Sequence, residues 1–250
     1  MPVLQSQTIL VTGATGAIGR AICLALAQDG ARVLIHFSRN RAAAEGLLAD
    51  INGKGAILCA DLSDPAAPEQ LWADTMAHGP VTGLVNNAGI RSEVSIDAAM
   101  PDWQSVWERE FRVNVLAAAD LTKCAIQTFR GQGGGRIVNM ASRAGQRGYT
   151  SSSMAYGASK AALINLTKSV AQSHGAEGIT AIALAPGWVR TEMADSYIAQ
   201  HGEAAALAGI PIGRMASPQE IGELTAFLFR PTQVSMNGAV LDVNGGSYLR

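Results

Sequence analysis

The chain has few charged side chains, few aromatic ones and no block of basic residues. Of its 250 residues, 16% are charged and 5% are aromatic, and the formal net charge is −1. Without a strongly positive segment there is no electrostatic reason to expect nucleic acid or an anionic membrane as a partner. No apolar run approaches the length of a membrane span, and no leader-like pattern opens the sequence. We therefore expect a soluble, cytoplasmic protein that binds neither nucleic acid nor a membrane.

Cysteines are also scarce, and neither they nor the histidines have the spacing of a metal site. Cys23, Cys59 and Cys124 are odd in number and far apart, which predicts reduced core residues of an intracellular protein. The histidines show no ligand spacing either. We predict surface or helix-capping positions for all four of them: His36, His78, His174 and His201. No metal is expected.

Hydrophobic residues, in contrast, make up 48% of the chain, and glycine is abundant at 27 residues. Short β-branched runs alternate with longer runs rich in alanine and leucine. The predicted strands are TILVTG, ARVLIHF, GAILCADL, VTGLVNNAG, GRIVNMAS, GITAIALAPG and GAVLDVNGG. This alternation is typical of right-handed βαβ units in a doubly wound α/β sheet flanked by helices. No Pro/Ser-rich linker or repeat divides the chain, so the sequence predicts a single domain over residues 1–250.

The turn between the first strand and the first helix contains three glycines. In ILVTGATGAIGRAI these are Gly13, Gly16 and Gly19. Glycines let a backbone approach a pyrophosphate closely, and a helix N-terminus offers free N–H groups and the positive end of its dipole. Because the pattern lies between a strand and a helix, it predicts a dinucleotide-binding turn. A tight turn without a ligand is the alternative.

The end of the second predicted strand indicates which dinucleotide is preferred. An acidic residue there accepts a hydrogen bond from the ribose 2′-hydroxyl of NAD, whereas an arginine accommodates the 2′-phosphate of NADP. The stretch VLIHFSRNR has no acid and offers Ser38, Arg39 and Arg41. A guanidinium can bind a phosphate through two hydrogen bonds. The sequence therefore predicts NADP(H) in preference to NAD(H), with solvated loop charges as the alternative.

Tyr156 and Lys160 are four residues apart in a predicted helix, so their side chains lie on one face. An unperturbed tyrosine, with a pKa of about 10, is a poor proton shuttle at neutral pH. Burial raises that pKa, whereas an ammonium about 4 Å away, at an effective dielectric constant near 20, favours the phenolate by roughly 4 kcal/mol. Lys160 therefore has the charge needed to lower the pKa of Tyr156. A solvated surface pair is the alternative.

Six motifs in a fixed order carry a family resemblance that extends from Thr8 to about Gly246. They are the glycine turn, NNAG at 86–89, Asn114 in FRVNV, Ser142 in IVNMAS, YGASK at 156–160 and PGWVRT at 186–191. In this order they resemble the short-chain dehydrogenase/reductase family, and most of all its 3-oxoacyl-(acyl carrier protein) reductase-like members. The resemblance implies a Rossmann-type fold with seven parallel strands and a homotetramer.

The resemblance also implies roles for individual residues. Tyr156 would donate a proton to the substrate oxygen, Ser142 would hold that oxygen, and Asn114 would hold a water that connects Lys160 to solvent. The implied cofactor-binding residues are Gly13, Thr15, Gly16, Ala17, Ile18, Gly19, Ser38, Arg39, Asp61, Leu62, Asn87, Ala88, Gly89, Tyr156, Lys160, Pro186, Gly187, Val189 and Thr191. Ala17 stands where many members of the family have glycine.

The substrate side is less defined by the sequence. Residues 188–215 occupy the place of a lid in the family, and the implied substrate-lining residues are Ser142, Arg143, Tyr149, Trp188, Met193 and Tyr197. Arg91 after NNAG would attract an anionic substrate. Arg136 fits a basic position of carrier-dependent reductases, but Glu177 occupies a second such position, and its negative charge opposes docking of an acidic acyl carrier protein.

Three functions follow from these residues. The first is an NADP(H)-dependent reductase of a small ketone, including a 3-oxoacyl thioester, or the reverse alcohol dehydrogenase. The second is a sugar or polyol dehydrogenase with the same chemistry. The third, of a different class, is a cofactor-binding regulator without turnover, which would not need Asn114, Ser142, Tyr156 and Lys160 together.

Overall fold

The fold is built on one sheet of seven parallel strands in the order β3-β2-β1-β4-β5-β6-β7. The computed structural model describes residues 3–249, apart from the side chain of Met193. The strands are β1 (Thr8–Val11), β2 (Arg32–Phe37), β3 (Gly55–Cys59), β4 (Gly83–Asn86), β5 (Gly135–Met140), β6 (Ile179–Pro186) and β7 (Val240–Val243). This confirms the predicted doubly wound sheet. The strands are shorter than the predicted segments. Thr12 and Gly13, for example, follow β1 in a turn rather than in the sheet.

Helices connect successive strands and cover both faces of the sheet. They are α1 (Ala17–Gln28), α2 (Arg41–Asp50), α3 (Ala67–Met76), α4 (Met100–Phe111), α5 (Ala117–Gly131), α6 (Ala144–Arg147), α7 (Met154–His174), α8 (Glu192–His201), α9 (Glu203–Leu207) and α10 (Pro218–Leu228). A π-helical turn, Arg112–Leu116, joins α4 to α5. Across residues 3–249, no helix is both long enough and apolar enough to cross a membrane.

The central strands are buried on both faces, which explains their continuous hydrophobic runs. In β1, Ile9 and Val11 belong to one buried cluster together with Ile22 of α1. Leu10, between them, belongs to the cluster on the opposite face, which includes Leu121 of α5. Successive side chains of a strand point to opposite faces, so each strand contributes to both halves of the core.

The strand order places a crevice at the carboxyl ends of β1 and β4. The chain runs outward from β1 to β2 and β3 and then returns to the other side of β1 to form β4. At such a reversal the loops leave in opposite directions, and ligands of open α/β sheets bind in the opening between them. The glycine turn follows β1 and the NNAG segment ends β4, so both predicted motifs lie at this crevice.

The prediction that all three cysteines are core residues is wrong for two of them. Cys23 in α1 is buried, and burial raises the pKa of its thiol. Cys124 is partly exposed, and Cys59 is exposed at the end of β3, the edge strand of the sheet. An edge strand has no neighbour to cover its outer side, and a hydrophobic pattern cannot distinguish it from a central strand.

Candidate active site

The glycine turn is held against β4 by Thr12. The Thr12 hydroxyl donates to the carbonyl of Val85 at 3.2 Å and accepts from the backbone N–H groups of Asn87 and Ala88, both at 3.0 Å. The Asn87 amide donates to the carbonyls of Thr12 and Gly13 at 2.9 and 3.1 Å. These bonds join the loops after β1 and β4 into one rigid edge of the crevice.

Two glycines of the turn are required by close backbone approach. Gly13 has a φ of +60°, and a Cβ there would lie 2.8 Å from the Cα of Ala88. A Cβ on Gly19 would lie 2.8 Å from both the Cα of Ala14 and the Nδ2 of Asn87. Gly16 is exposed and caps α1 without a side-chain hydrogen bond, so no capping side chain binds the first N–H groups of the helix. The neighbouring residues Thr15, Ala17 and Ile18 are partly or fully exposed.

His36 supports the same turn from β2, and the prediction of a surface or capping position for it is wrong. Its side chain is 2% exposed. Nδ1 accepts from the N–H of Gly13 at 3.0 Å, and Nε2 lies 3.1 Å from the carbonyl of Ala60. Burial lowers its pKa to about 4. The ring is therefore neutral, with its proton on Nε2. Its position inside the buried run RVLIHF was the available sequence signal.

Of the residues predicted to select the cofactor, Ser38 and Arg39 lie in the loop after β2 and Arg41 begins α2, whereas Asp61, predicted to lie near the adenine, follows β3. Ser38 and Arg39 are exposed. Arg41 instead lies over the ring of Phe37, 5.5 Å from its centroid, and 3.7 Å from Glu45. The Asp61 carboxylate accepts from the backbone and the hydroxyl of Ser63, which lowers its pKa, and the charge of Arg39 adds to this effect.

Leu62 is buried and belongs to the hydrophobic cluster that contains Leu10.

The four residues predicted to carry the chemistry come from three elements at one end of the sheet. Asn114 lies in the π-helical turn, Ser142 follows β5, and Tyr156 and Lys160 lie in the first part of α7. The Lys160 ammonium is 5.8 Å from the centroid of the Tyr156 ring. It donates to the carbonyl of Met140 at 2.7 Å. A Cβ on Gly89 would lie 3.2 Å from this ammonium, so the NNAG segment reaches the same site.

The pKa of Tyr156 shifts in the direction opposite to the one predicted. Burial raises it to about 12, although a hydrogen bond from Ser142 acts in the opposite sense. Burial also lowers the pKa of Lys160 to about 8. The prediction that Lys160 lowers the pKa of Tyr156 is wrong for this arrangement, because the lysine is directed to the Met140 carbonyl and the cost of burying the phenolate dominates.

Asn114 is tied into its surroundings by its whole amide group. Its Oδ1 accepts from the N–H of Ile90 at 2.8 Å, and its Nδ2 donates to the carbonyl of Ile90 at 2.9 Å and the hydroxyl of Ser159 at 3.0 Å. A further contact, at 3.3 Å, joins Nδ2 to the carboxylate of Glu110.

Sequence reasoning missed Glu110, which is fully buried beside these residues. The available signal was an acidic residue one helical turn before Asn114.

On the substrate side, Tyr149 connects Arg91 to Tyr156. The guanidinium of Arg91 donates to the Tyr149 hydroxyl at 3.1 Å and to Glu93 at 3.0 Å. The rings of Tyr149 and Tyr156 are 5.8 Å apart. Arg143 is buried and donates to the hydroxyl of Ser247 near the C-terminus.

The segment predicted as a lid contains α8 and α9. The rings of Trp188 and Tyr197 are 4.9 Å apart and pack on the segment's own cluster of Ala194, Ala206, Ile210 and Met215. The side chain of Met193 lies outside the described part of the chain.

The residues at the end of β6 hold the base of this segment. Pro186 is the last residue of β6, and the Gly187 N–H donates to the carbonyl of Val243 at 3.0 Å. Val189 is buried and pairs with Ala216 in an isolated bridge. The Thr191 hydroxyl caps α8 by accepting from the N–H of Ala194 at 3.4 Å.

The two positions considered for carrier docking are both occupied by internal contacts. The Arg136 guanidinium is half-buried and donates to Thr180 at 2.9 Å and to the carbonyls of Arg230 and Leu228. Arg136 is therefore not a free docking base, because its donors serve the end of α10. Glu177 is paired with Arg130 and lies 3.2 Å from His174.

No group of three or more His, Cys, Asp or Glu side chains that could hold a metal occurs among the described residues.

Comparisons with known proteins agree with this arrangement. The family model for short chain dehydrogenase matches residues 7–202. A short-chain type dehydrogenase/reductase of Picea abies is 37% identical, over 97% of this chain and 93% of that protein. The 3-oxoacyl-[acyl-carrier-protein] reductase FabG of Escherichia coli is 35% identical over 98% of both chains.

A solved structure has the same fold at a similar level of identity. It is a protein of Agrobacterium tumefaciens named as a 2-deoxy-D-gluconate 3-dehydrogenase and crystallised with bound NADP. It has a TM-score of 0.89 and 29% identity over 98% of both chains. Together with the matched family model and the relatives above 30% identity, this similarity shows that the chain belongs to the short-chain dehydrogenase/reductase family of oxidoreductases.

Proposed function

We propose that the protein is an NADP(H)-dependent oxidoreductase that interconverts a small ketone and its secondary alcohol, with Tyr156 as the general acid and base. The observation that carries the proposal is the convergence of Ser142, Tyr156 and Lys160 beside the glycine turn. A regulator without turnover would not need a partly buried tyrosine, hydrogen-bonded by a serine, next to the glycine turn.

The residues of the crevice fit a dinucleotide. Gly13 and Gly19 let the loops after β1 and β4 pack closely together, and the first turn of α1 offers N–H groups to a pyrophosphate. Ser38 and Arg39 are exposed at the end of β2, where they can hold a 2′-phosphate. The bound cofactor supplies or accepts the hydride at the carbonyl carbon.

Tyr156 moves the proton that accompanies the hydride. With a pKa raised to about 12, its phenol keeps its proton at neutral pH and can donate it from Oη to the carbonyl oxygen during reduction. Ser142 hydrogen-bonds the same oxygen and fixes its position. Lys160 then returns a proton to Tyr156, and Asn114, in the π-helical turn, would hold a water that connects Lys160 to solvent. In the oxidative direction each proton moves the opposite way.

For the substrate we propose a 3-oxoacyl thioester that is free or coenzyme-linked. The names of the Escherichia coli relative and of its counterparts in other bacteria support this class. Docking of an acyl carrier protein is not favoured, because Arg136 is engaged internally and Glu177 is paired with Arg130. The segment 188–215, with Trp188 and Tyr197, would close over the substrate.

A specific observation favours a sugar acid or polyol as the second candidate. Arg91, whose side chain is 14% exposed, contacts the hydroxyl of Tyr149 next to Tyr156, where it could bind the carboxylate of a substrate. The NADP-bound neighbour is named for a sugar acid.

We also propose a homotetramer, supported by the apolar surface at α4 and the adjoining turn. There the Trp107 ring stacks on Phe111 and lies 5.7 Å from the ring of Trp103, and Leu116 is 47% exposed.

The test is NADPH oxidation with acetoacetyl thioester, compared between wild type and Tyr156→Phe. Loss of a general acid lowers kcat by about 100-fold or more, while NADPH binding, followed by its fluorescence, should remain. Tyr248→Phe near the C-terminus is the matched control and should leave turnover unchanged. If Tyr156→Phe keeps most of the wild-type activity, the proposed role is wrong. If wild type binds NADPH but reduces no thioester, oxidation of sugar acids and polyols is the next assay.

A further inference from the structure

Glu110 is a carboxylate buried at the active site that the proposed reaction does not yet use. It lies in the last turn of α4 and has no exposed surface. One carboxylate oxygen, Oε2, accepts from the backbone N–H of Ser92 at 3.0 Å, and the other, Oε1, accepts from the Asn114 amide at 3.3 Å. It thus joins α4 to the loop after the NNAG segment.

Hydrogen bonding alone does not explain a carboxylate at this position. The two hydrogens of the Asn114 amide already have closer acceptors, the carbonyl of Ile90 and the hydroxyl of Ser159. Burying a negative charge is costly unless other charges or hydrogen bonds compensate it. What the carboxylate adds, compared with an uncharged side chain, is therefore its charge.

The positive charge next to this network is the ammonium of Lys160. A Cβ on Gly89 would lie 3.2 Å from the Lys160 Nζ and 3.3 Å from the Oδ1 of Asn114, the residue that Glu110 contacts. Burial lowers the pKa of Lys160 to about 8, and the charge of Glu110 raises it. In turn, Lys160 opposes the effect of burial, which raises the pKa of Glu110. Glu110 also raises the pKa of Tyr156, whereas Arg91 lowers it.

The charged and titratable groups around Glu110 belong to α7, to the loop after the NNAG segment and to α4 itself. Lys160 and Tyr156 belong to α7, and Arg91 belongs to the loop, where its guanidinium is directed to Tyr149 and Glu93. On its own helix, Glu108 and Arg109 are exposed.

We propose that Glu110 is a positioning residue of the active site, which ties α4 to the Ser92 loop and keeps the buried Lys160 positively charged. The inference rests on the proposed roles of Tyr156 and Lys160. In this proposal, a carboxylate on α4 keeps Lys160, which belongs to α7, in its protonated form.

The consequence is a pH effect of defined sign. Glu110→Gln removes the charge but keeps the length and one acceptor oxygen. Without the negative charge, the pKa of Lys160 falls further below its ordinary value, and the pKa of Tyr156 falls as well. As the pH is raised, the variant should therefore lose its ketone-reducing activity at a lower pH than wild type does. Likewise, its alcohol-oxidising activity should appear at a lower pH than that of wild type.

The direct test follows Lys160 itself. The chain has only four lysines, Lys54, Lys123, Lys160 and Lys168. Protein enriched in ¹³C at lysine Cε gives one NMR signal for each, and Lys160→Gln assigns the signal of interest. We expect Glu110→Gln to lower the pKa of Lys160 by on the order of one unit. The exposed Glu108→Gln, on the same helix, is the matched control and should produce no shift.

The outcomes separate the inference from the proposed function. An unchanged Lys160 titration in folded Glu110→Gln overturns the inference, and so does an equal shift in Glu108→Gln. If the variant does not fold, the titration of wild-type protein provides the test. The Lys160 NMR signal should then show a second, smaller change at the pH where Glu110 gains its proton. If this second change is absent, the inference is overturned. None of these readings needs a substrate, so failure to reduce any ketone affects the proposed function alone.

Discussion

His36 gives the protein a stability that depends on pH, with a sign and size that follow from its contacts. Its Nδ1 must be unprotonated to accept from the N–H of Gly13, and Nε2 faces the carbonyl of Ala60. Folding lowers its pKa from 6.5 to about 4, mainly through burial. The unfolded chain therefore binds this proton more tightly than the folded protein. The stabilisation is fully present above about pH 6.5 and is lost as the pH falls from there to about 4.

The magnitude follows from the two pKa values. A difference of about 2.5 pKa units corresponds to about 3 kcal/mol when the titration is complete. Between about pH 7 and about pH 5, we expect His36 to account for about 2 kcal/mol of the loss in the free energy of unfolding. Acidic residues with low pKa values also lose stabilisation in acid, so a variant is needed to isolate the histidine.

The assay is urea unfolding of wild type and His36→Asn at both pH values. Asparagine can still accept from Gly13 but does not titrate in this range, so the variant should lose about 2 kcal/mol less than wild type on acidification. His78→Asn, in the partly exposed turn after α3, is the control and should behave as wild type. If the pH dependence of His36→Asn matches that of wild type, the buried neutral histidine is not the cause.

Two further predictions concern the cofactor crevice. Gly19→Ala should cost about 1–3 kcal/mol of stability because its Cβ would lie 2.8 Å from Ala14 and Asn87. Gly16→Ala is the control, because the nearest atom to its Cβ would be 3.6 Å away. It should change the free energy of unfolding in urea by less than about 0.5 kcal/mol and weaken NADPH binding. Equal losses of stability in the two variants would contradict the packing argument. Arg39→Ala should weaken NADPH binding about tenfold or more while leaving NADH binding nearly unchanged. Arg41→Ala should have less effect because Arg41 already contacts Phe37 and Glu45, and equal losses for both cofactors would refute the role of Arg39.

Features that depend on neighbours in the sequence were predicted well. The alternation of strand and helix patterns predicted the seven-stranded sheet, because hydrophobic periodicity and turn residues are local properties. The glycine turn was predicted to connect a strand to a helix, and it follows β1 and leads into α1. The helical spacing of Tyr156 and Lys160 likewise places both in α7.

Burial and long-range contacts were not accessible in the same way. His36, the next-to-last residue of β2, is buried in an interior strand, whereas Cys59, the last residue of β3, is exposed on the edge strand. The sequence placed Arg136 at a basic docking position, but its guanidinium donates to the carbonyls of Leu228 and Arg230, more than 90 residues further along the chain.

The sequence by itself determined the order of the elements, the glycine turn between β1 and α1 and the identity of the groups that carry the proposed chemistry. Only the tertiary structure decided their ionisation, because a pKa depends on burial and on charges brought together from distant segments. The phenol of Tyr156 holds its proton more tightly than the spacing to Lys160 predicted, and Glu110 enters the site from α4. Both effects arise where helices meet, which the spacing of residues along one helix does not describe.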